Sequence, residues 1–175
     1  MEISKELADM INDQLNFEIY SGYIYLAMGA WFEDQNLSGF ARWMEIQFDE
    51  EYAHAIRFWR HLYERGAKVE LKAIEAPKTE WTSPLEAFQD AYEHEKLVTE
   101  RIYKIGELAE QQKDRATLSF LNWFYDEQVE EEDKTMTIRD TLKMIGDSIP
   151  ALLQLDAKLG ARPPVSGVPQ ESTEP

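Results

Sequence analysis

One pattern of potential metal-ligand side chains occurs twice in the chain at the same spacing. In each repeat a Glu is followed after 33 residues by Glu or Gln, and three residues later by His or Glu. The six positions are Glu18, Glu51 and His54 in the first repeat and Glu95, Gln128 and Glu131 in the second. Carboxylate oxygens with one imidazole form a donor set that suits iron or manganese, with zinc as a ready competitor. The spacing therefore indicates a carboxylate-rich site for divalent cations.

The four glutamates interrupt stripes of apolar residues that recur at three- and four-residue steps, as in helices with a buried face. Burying an unpaired carboxylate costs several kcal/mol, so protons or metal cations must compensate the charge. No Lys or Arg stands on these stripes. Two divalent ions would balance the four negative charges, and a dinuclear carboxylate site is what the arrangement offers.

Four long helices and a short fifth one are predicted to carry these stripes. Proline is absent between Lys5 and Gln35, where apolar residues recur at helical spacing. Ser83, Pro84 and Glu86 have the pattern of a helix start, with an N-cap serine, proline at the first position and glutamate at the third. The predicted helices cover residues 5–35, 40–65, 84–112, 115–145 and 148–159.

The connections between the helices predict their arrangement. Short breaks near residues 36 and 113 make two antiparallel hairpins. The chain of about 17 residues between the hairpins can extend about 55 Å, which exceeds helix lengths of about 40–45 Å and makes the second and third helices parallel. The repeated positions lie about 15–18 residues from the turns, so they meet at one level. The fold class is therefore all-α: a four-helix bundle with one long crossover, similar to ferritin-like bundles, plus a short C-terminal fifth helix.

Charge and composition limit the partners. Among 175 residues, 18 Lys and Arg oppose 34 Asp and Glu, giving a net charge of −16. Such a charge repels nucleic acids and acidic membrane surfaces and attracts cations. Cysteine is absent, which excludes disulfides, thiolate zinc sites and cysteine-ligated iron–sulfur clusters. No signal-peptide pattern and no apolar run of membrane-spanning length occurs, so we expect a cytoplasmic protein that binds neither nucleic acid nor membrane.

Four segments give the chain a resemblance to the non-haem ferritins of bacteria and archaea. They are residues 16–26, 50–55, 92–95 and 120–132. The resemblance extends over about residues 4–160, nearly the whole folded chain. We therefore expect a ferritin-like di-iron domain over residues 1–161, and the four prolines that follow predict a flexible tail over residues 162–175.

The resemblance implies a ferroxidase centre at the repeated positions. The first iron site is implied at Glu18, Glu51 and His54, and the second at the bridging Glu51, Glu95 and Glu131, with Gln128 close by.

It also implies a third, more weakly held iron site at Glu50, Glu127 and Glu130. Tyr25 and Trp123 match aromatic residues beside the centre, which are plausible electron donors during oxygen reduction.

The implied function is iron storage by a homo-oligomeric shell, usually of 24 subunits. Such a shell takes up Fe²⁺, oxidises it with dioxygen or hydrogen peroxide, and stores ferric mineral. Iron is the expected metal, with zinc or manganese as substitutes. Haem is not expected, because bacterioferritins carry methionine where this chain has Tyr52, and a second Glu-x-x-His motif where this chain has Gln128 and Glu131.

Other apolar and polar residues give weaker predictions. Four residues outside the first helix's stripe are expected to contact another subunit, with packing inside the chain as the alternative: Tyr20, Tyr23, Ile24 and Trp31. The fifth helix is apolar on more than one face, as expected if it packs among symmetry mates. His61 and His94 are interpreted as ordinary surface or rim residues, and Gln47 as either a hydrogen-bonding partner of the site or a satisfied core residue.

Two other function classes share these features. A soluble di-metal oxidase or peroxidase that stores nothing would use the same carboxylates without a shell. A non-enzymatic helical scaffold would keep the glutamates protonated instead of binding metal. A DNA-protecting mini-ferritin is disfavoured, because its metal site lies between subunits and this chain carries a complete one.

Overall fold

This computed structural model describes residues 2–165 of the chain. The range contains five α-helices and no strand. They are α1 (Lys5–Asp34), α2 (Ser38–Glu64), α3 (Pro84–Gln111), α4 (Arg115–Ile145) and α5 (Ile149–Gly160). The predicted four-helix bundle with a short fifth helix is confirmed, and the helix bounds agree with the prediction to within two residues. None of the helices in this range is long and apolar enough to cross a bilayer. Most of the predicted tail, residues 166–175, lies outside the described residues.

Side-chain caps fix the starts of three helices. Ser4, Ser83 and Asp114 each accept a hydrogen bond from the backbone N–H three residues further on, at 3.0–3.1 Å. These bonds satisfy amide groups that have no partner within the helix. The predicted start of α3 is correct, although the carboxylate of Glu86 returns to the N–H of Thr82, at 2.7 Å, instead of to Ser83.

The crossover between α2 and α3 runs along α1. The side chains of Asn12 and Asn16 bind backbone groups of residues 68–72 through four hydrogen bonds of 2.7–2.9 Å. Further along, Trp81 packs against Trp31 near the other end of α1, with ring centroids 5.8 Å apart. The start of α3 therefore lies at the end of the bundle where α1 ends and α2 begins. Hence α2 and α3 run in the same direction, as predicted.

The core consists of two apolar clusters with a polar layer between them. One cluster is centred on Phe32, Phe40, Met44 and Phe88, and the other on Leu15, Phe58, Ile102 and Phe124. On each long helix one glutamate lies between the two clusters. These residues are Glu18, Glu51, Glu95 and Glu131, each at most 1% exposed. The fold thus encloses four carboxylates at one level of its core.

The structure decides the burial of two side chains. The three- and four-residue steps of the α4 stripe predict Tyr125 in the core; this prediction is wrong, because Tyr125 is only partly buried and Phe124 is fully buried in its place. Of the two interpretations of Trp31, the structure supports packing inside the chain, since its ring packs against Trp81. The crossover supplies that partner, which the periodicity of α1 does not show. Tyr23 remains exposed, as a subunit contact requires.

Helix α5 packs one face against the start of α2 and exposes another. Asp156 accepts a hydrogen bond of 3.0 Å from the backbone N–H of Phe40, which caps α2 from a distant part of the chain. Leu155 and Leu159 are buried, whereas Ile149 and Leu153 are exposed. Its contact with symmetry mates stays a prediction.

Candidate metal centre

Two groups of potential metal ligands share one carboxylate. Glu18, Glu51 and His54 each offer a ligand atom, and these atoms lie within 4.8 Å of one another. Glu51, Glu95 and Glu131 do the same. All five residues are buried, and Glu51 belongs to both groups. The fold therefore brings together the five residues assigned to the first two iron sites, with a bridging position at Glu51.

The centre contains buried oxygen atoms that no protein group satisfies. Among residues 2–165, Oε2 of Glu18 and both carboxylate oxygens of Glu51 have no hydrogen-bond partner. Such atoms are rare in folded proteins because each loses its interaction with water without replacement. Divalent cations bound at these oxygens would supply the missing interaction. Carboxylate oxygens and an imidazole nitrogen lie close enough together to bind the same cation, so the residues present fit iron.

Burial makes the metal-free carboxylates weak acids. It raises the pKa of Glu18 to about 8, and the nearby Glu51 adds to this shift. Burial, followed by repulsion from Glu131, raises the pKa of Glu95 to about 8 as well. The pKa of Glu51 is raised well above its ordinary value by burial and by Glu95 and Glu131. Protons therefore neutralise part of the centre when metal is absent.

The second group is held by hydrogen-bond donors. The hydroxyl of Tyr25 donates to Oε1 of Glu95, and the amide of Gln128 donates to Oε2 of the same carboxylate at 3.2 Å. The amide of Gln47 donates to Oε2 of Glu131. Of the two interpretations of Gln47, the structure supports the hydrogen-bonding partner. Tyr25 and Gln128 thus reach the centre through Glu95.

A lysine also reaches the centre, which the sequence did not predict. Lys134 donates to Oε1 of Glu131 at 3.0 Å, and its Nζ lies 2.8 Å from Glu130 and 4.0 Å from Glu50. No Lys or Arg stands on the apolar stripes themselves, but Lys134 lies beside one of them and its long side chain bends back over one helical turn to Glu131. Partial burial opposes its charge, yet attraction by Glu131 and the bond to Glu130 raise the pKa of Lys134.

The three carboxylates assigned to a third site do not form a comparably close group within residues 2–165. Glu50 accepts a hydrogen bond of 2.6 Å from Arg162. Glu130 is largely exposed and pairs with Lys134. Oε1 of Glu127 lies 3.9 Å from Nε2 of His54. All three border the dinuclear centre, but two of them are paired with cations of the protein. Arg162 opens the predicted flexible tail and is itself bound here.

An open cavity of about 550 Å³ adjoins the centre on the α2 and α4 side. His54, Glu50 and Glu127 line it, and so does Trp123. The Trp123 ring meets the His54 ring edge-on, with centroids 5.4 Å apart, and the Arg57 guanidinium lies 3.8 Å from the centroid of the indole. The cavity therefore borders the centre at His54, the one ligand of the two groups that lines it.

The two remaining histidines lie outside the centre. His61 is buried and its Nε2 lies 3.0 Å from the hydroxyl of Thr117, so its interpretation as a surface or rim residue is wrong. His94 is partly buried, hydrogen-bonded to Ser21 at 2.7 Å and stacked on Phe17. Burial lowers the pKa of each histidine to about 4. Both act as neutral packing residues near pH 7.

Three residues around the centre were not predicted from the sequence. Gln14 donates to Glu18 from four residues earlier on α1, and Lys134 lies three residues after Glu131, so the helical neighbour rule could have indicated both. Arg162 follows α5 and reaches Glu50 across 112 positions of sequence. No local pattern predicts that contact.

Comparison with known proteins agrees with this geometry. A model of the Ferritin-like domain matches residues 8–145, most of the chain. The chain belongs to the ferritin family. The resemblance to bacterial and archaeal non-haem ferritins is thereby confirmed.

Its relatives include ferritins from bacteria and from an archaeon. This ferritin is 42% identical over 160 residues to the bacterial non-heme ferritin of Staphylococcus aureus (strain USA300), covering 91% of this chain and 96% of the relative. It is 43% identical over the same length and coverage to that of Staphylococcus haemolyticus. A solved open-pore ferritin from the hyperthermophilic archaeon Archaeoglobus fulgidus superimposes with a TM-score of 0.92 at 46% identity, covering 93% of this chain and all of the other.

Proposed function

We propose that this ferritin oxidises Fe²⁺ to Fe³⁺ at the dinuclear centre and stores the product as ferric mineral in a hollow cytoplasmic shell of 24 identical subunits. The observation that carries the proposal is the buried Glu51, which belongs to both ligand groups and has no hydrogen-bond partner for either oxygen within residues 2–165. A protein built for stability would pair or replace such a group, whereas a two-ion site requires it.

Each ligand has a role in this proposal. Glu18 and His54 hold one Fe²⁺, Glu95 and Glu131 hold the other, and Glu51 bridges them. The four carboxylates match the charge of two Fe²⁺ ions. Metal binding displaces the protons that burial keeps on the carboxylates, so uptake of iron releases protons to solvent.

Holding two ions side by side couples their oxidation. Each Fe²⁺ gives one electron, and two electrons with two protons reduce one dioxygen to hydrogen peroxide, or one hydrogen peroxide to two waters. The protein supplies the fixed separation and the carboxylates that stabilise the added positive charge of Fe³⁺. The hydroxyl of Tyr25, bonded to Glu95, and the Trp123 ring, edge-on to His54, lie in positions to give a further electron.

Glu50, Glu127 and Glu130 form the proposed third, weaker iron site beside the first two. Glu50 and Glu127 line the open cavity and the Glu130 side chain is largely exposed, which supports a site that exchanges ions with solvent. Glu130→Ala is expected to leave the first rapid oxidation intact and to alter the number of ions oxidised per chain. Superimposable titrations of the variant and the parent protein would remove Glu130 from this site.

Zinc and manganese are proposed as substitutes for iron, because both accept oxygen-rich ligands with an imidazole. Haem has no part in the proposal. Zn²⁺ is redox-inert and therefore measures ligand affinity separately from oxidation.

The test is stepwise aerobic addition of Fe²⁺ to the purified protein, with ferric absorbance followed and bound iron measured after desalting. Retention of far more iron than the two or three ions that the proposed sites hold supports storage, and sedimentation reports the size of the shell. Oxidation that stops at that number would instead indicate an oxidase without storage. Glu51→Ala is expected to slow oxidation at least about 100-fold, whereas Glu45→Ala, on the exposed face of the same helix, leaves it unchanged.

A further inference from the structure

One protein cation stands among carboxylates that the proposed function assigns to two different iron sites. Nζ of Lys134 lies 3.0 Å from Glu131, 2.8 Å from Glu130 and 4.0 Å from Glu50. Glu131 is fully buried, and the Lys134 side chain is only 25% exposed. Water therefore screens these contacts less than those of a surface ion pair.

A second cation fixes the neighbouring carboxylate. Arg162 donates to Oε2 of Glu50 at 2.6 Å and to the amide oxygen of Gln47 at 2.8 Å, with its guanidinium 4.8 Å from the Trp43 ring centroid. Gln47 in turn donates to Glu131. The two cations thus approach from different elements, and Glu50 and Glu130, which border the dinuclear centre, are already charge-paired.

A third metal ion at Glu50 and Glu130 would have to lie where these carboxylates now meet Lys134. An ammonium and a divalent cation cannot share that space, since each repels the other and both need the same oxygens. The lysine side chain has four rotatable bonds and is partly solvent-exposed, so it can swing out when an ion enters.

We propose that Lys134 sets how tightly this ferritin binds a third metal ion. Its ammonium holds Glu50, Glu130 and Glu131 in the place of that ion, which binds only by displacing the lysine. This inference rests on the proposed function, because it assumes that metal ions occupy the adjacent centre. It explains how a third ion is kept weakly bound: the lysine returns to the carboxylates as the ion leaves toward the cavity. The first two ions are less affected, since Glu131 is the one of their five ligands that contacts Lys134 within residues 2–165.

The experiment is calorimetric titration of the assembled, metal-free protein with Zn²⁺, comparing the parent with Lys134→Met. Methionine keeps most of the length and apolar surface of the stem and removes the charge. We expect the third Zn²⁺ per chain to bind about tenfold or more tightly in Lys134→Met, with the first two changed much less. Lys134→Arg, which keeps the charge, should resemble the parent.

Lys143→Met is the matched control, because Lys143 lies on the same helix and its ion pair in the described part of the chain is with Asp140 on the surface. It should titrate as the parent does. Helical content, thermal unfolding and sedimentation establish that each variant is folded and assembled.

Third-ion binding in Lys134→Met that is absent, unchanged or weaker overturns the inference. A weaker third ion would mean that Lys134 positions the carboxylates for metal instead of competing with it. Failure of the proposed function has a different signature, in which the parent itself binds fewer than two Zn²⁺ per chain or Glu51→Ala binds as many as the parent.

Discussion

The amide nitrogen of Gln14 donates a hydrogen bond of 2.7 Å to Oε1 of Glu18, one helical turn further along α1. The other oxygen of Glu18 has no partner and belongs to the metal centre. Nε of Arg101 in turn donates a hydrogen bond of 2.9 Å to the amide oxygen of Gln14. The two bonds orient Glu18 so that one oxygen remains for a metal ion.

Gln14→Met should weaken binding of the first metal ion by about 10–100-fold, because Glu18 loses the donor that orients it and stabilises its charged form. Zn²⁺ titration of the metal-free protein measures this. Gln89→Met is the control, because it removes a surface glutamine whose side chain donates to the exposed Glu93, away from the centre. Equal affinities in Gln14→Met and the parent would show that the carboxylate does not need this donor.

The metal-free protein should lose stability as the pH rises from 6.5 to 8. Folded Glu18 and Glu95 keep their protons up to about pH 8, whereas the unfolded chain releases them near pH 4.5, so the folded state holds more protons over this range. Their contribution is fully present below pH 4.5 and is lost as the pH rises through 8. His61 and His94 act in the opposite direction, but only below pH 6.5, the ordinary value from which burial lowers their pKa to about 4.

Denaturant unfolding of the chelator-treated protein at several pH values between 6.5 and 8 measures this dependence. The free energy of unfolding should fall by up to about 1.4 kcal/mol per pH unit for each carboxyl that stays protonated. Glu18→Gln should flatten the slope, since the amide does not titrate. A stability that rises over this interval would contradict the protonated state of the centre.

Tyr25→Phe should slow iron oxidation while leaving the fold intact. The substitution removes only the hydroxyl that donates to Glu95, so the packing of the ring is kept. Oxidation is expected to slow about tenfold or more, because Glu95 loses a donor and the centre loses an electron source. Rapid-mixing absorbance after Fe²⁺ addition gives the rate. Tyr63→Phe, at an exposed tyrosine of α2, should oxidise iron like the parent.

Gly39→Ala should detach α5 from the bundle. A methyl group at Gly39 would overlap the backbone carbonyl of Asp156. Because this carbonyl is part of the α5 backbone, the overlap is relieved only if α5 moves away from α2. The expected loss is about 1–3 kcal/mol, with faster tryptic cleavage at Lys158. Gly29→Ala is the matched control, because a methyl group there makes only ordinary contacts and favours the helix. Equal melting temperatures for the two variants would contradict the close packing at Gly39.

Local patterns in the sequence were sufficient to predict the bundle and the layer of carboxylates. An α-helix has 3.6 residues per turn whatever surrounds it, so the apolar stripe of each helix fixes the face that it buries. Leu15, Phe58, Ile102 and Leu121 are buried members of the four stripes. A glutamate in such a stripe is therefore buried. The equal 33-residue spacing then places the interruptions at one height once the turns are located.

Contacts that depend on two distant segments could not be derived in this way. His61 is buried because the Phe120 ring of α4 stacks on it at 4.1 Å, and Trp31 is buried because the crossover brings Trp81 to it. Neither partner is visible from the helix that carries the buried residue. The hydrogen-bond network at the second ligand group is likewise a property of packed side chains.

The sequence by itself determined the all-α bundle, its crossover, and the level at which Glu18, Glu51, Glu95 and Glu131 meet. The reason is that helix periodicity depends only on neighbouring residues, and the length of a helix or connection only on its number of residues. Only the tertiary structure decided which oxygens are left for metal and which cations stand beside them. Lys134 and Arg162 reach the centre through long side chains whose direction is set by the surrounding packing, and packing depends on all five helices at once.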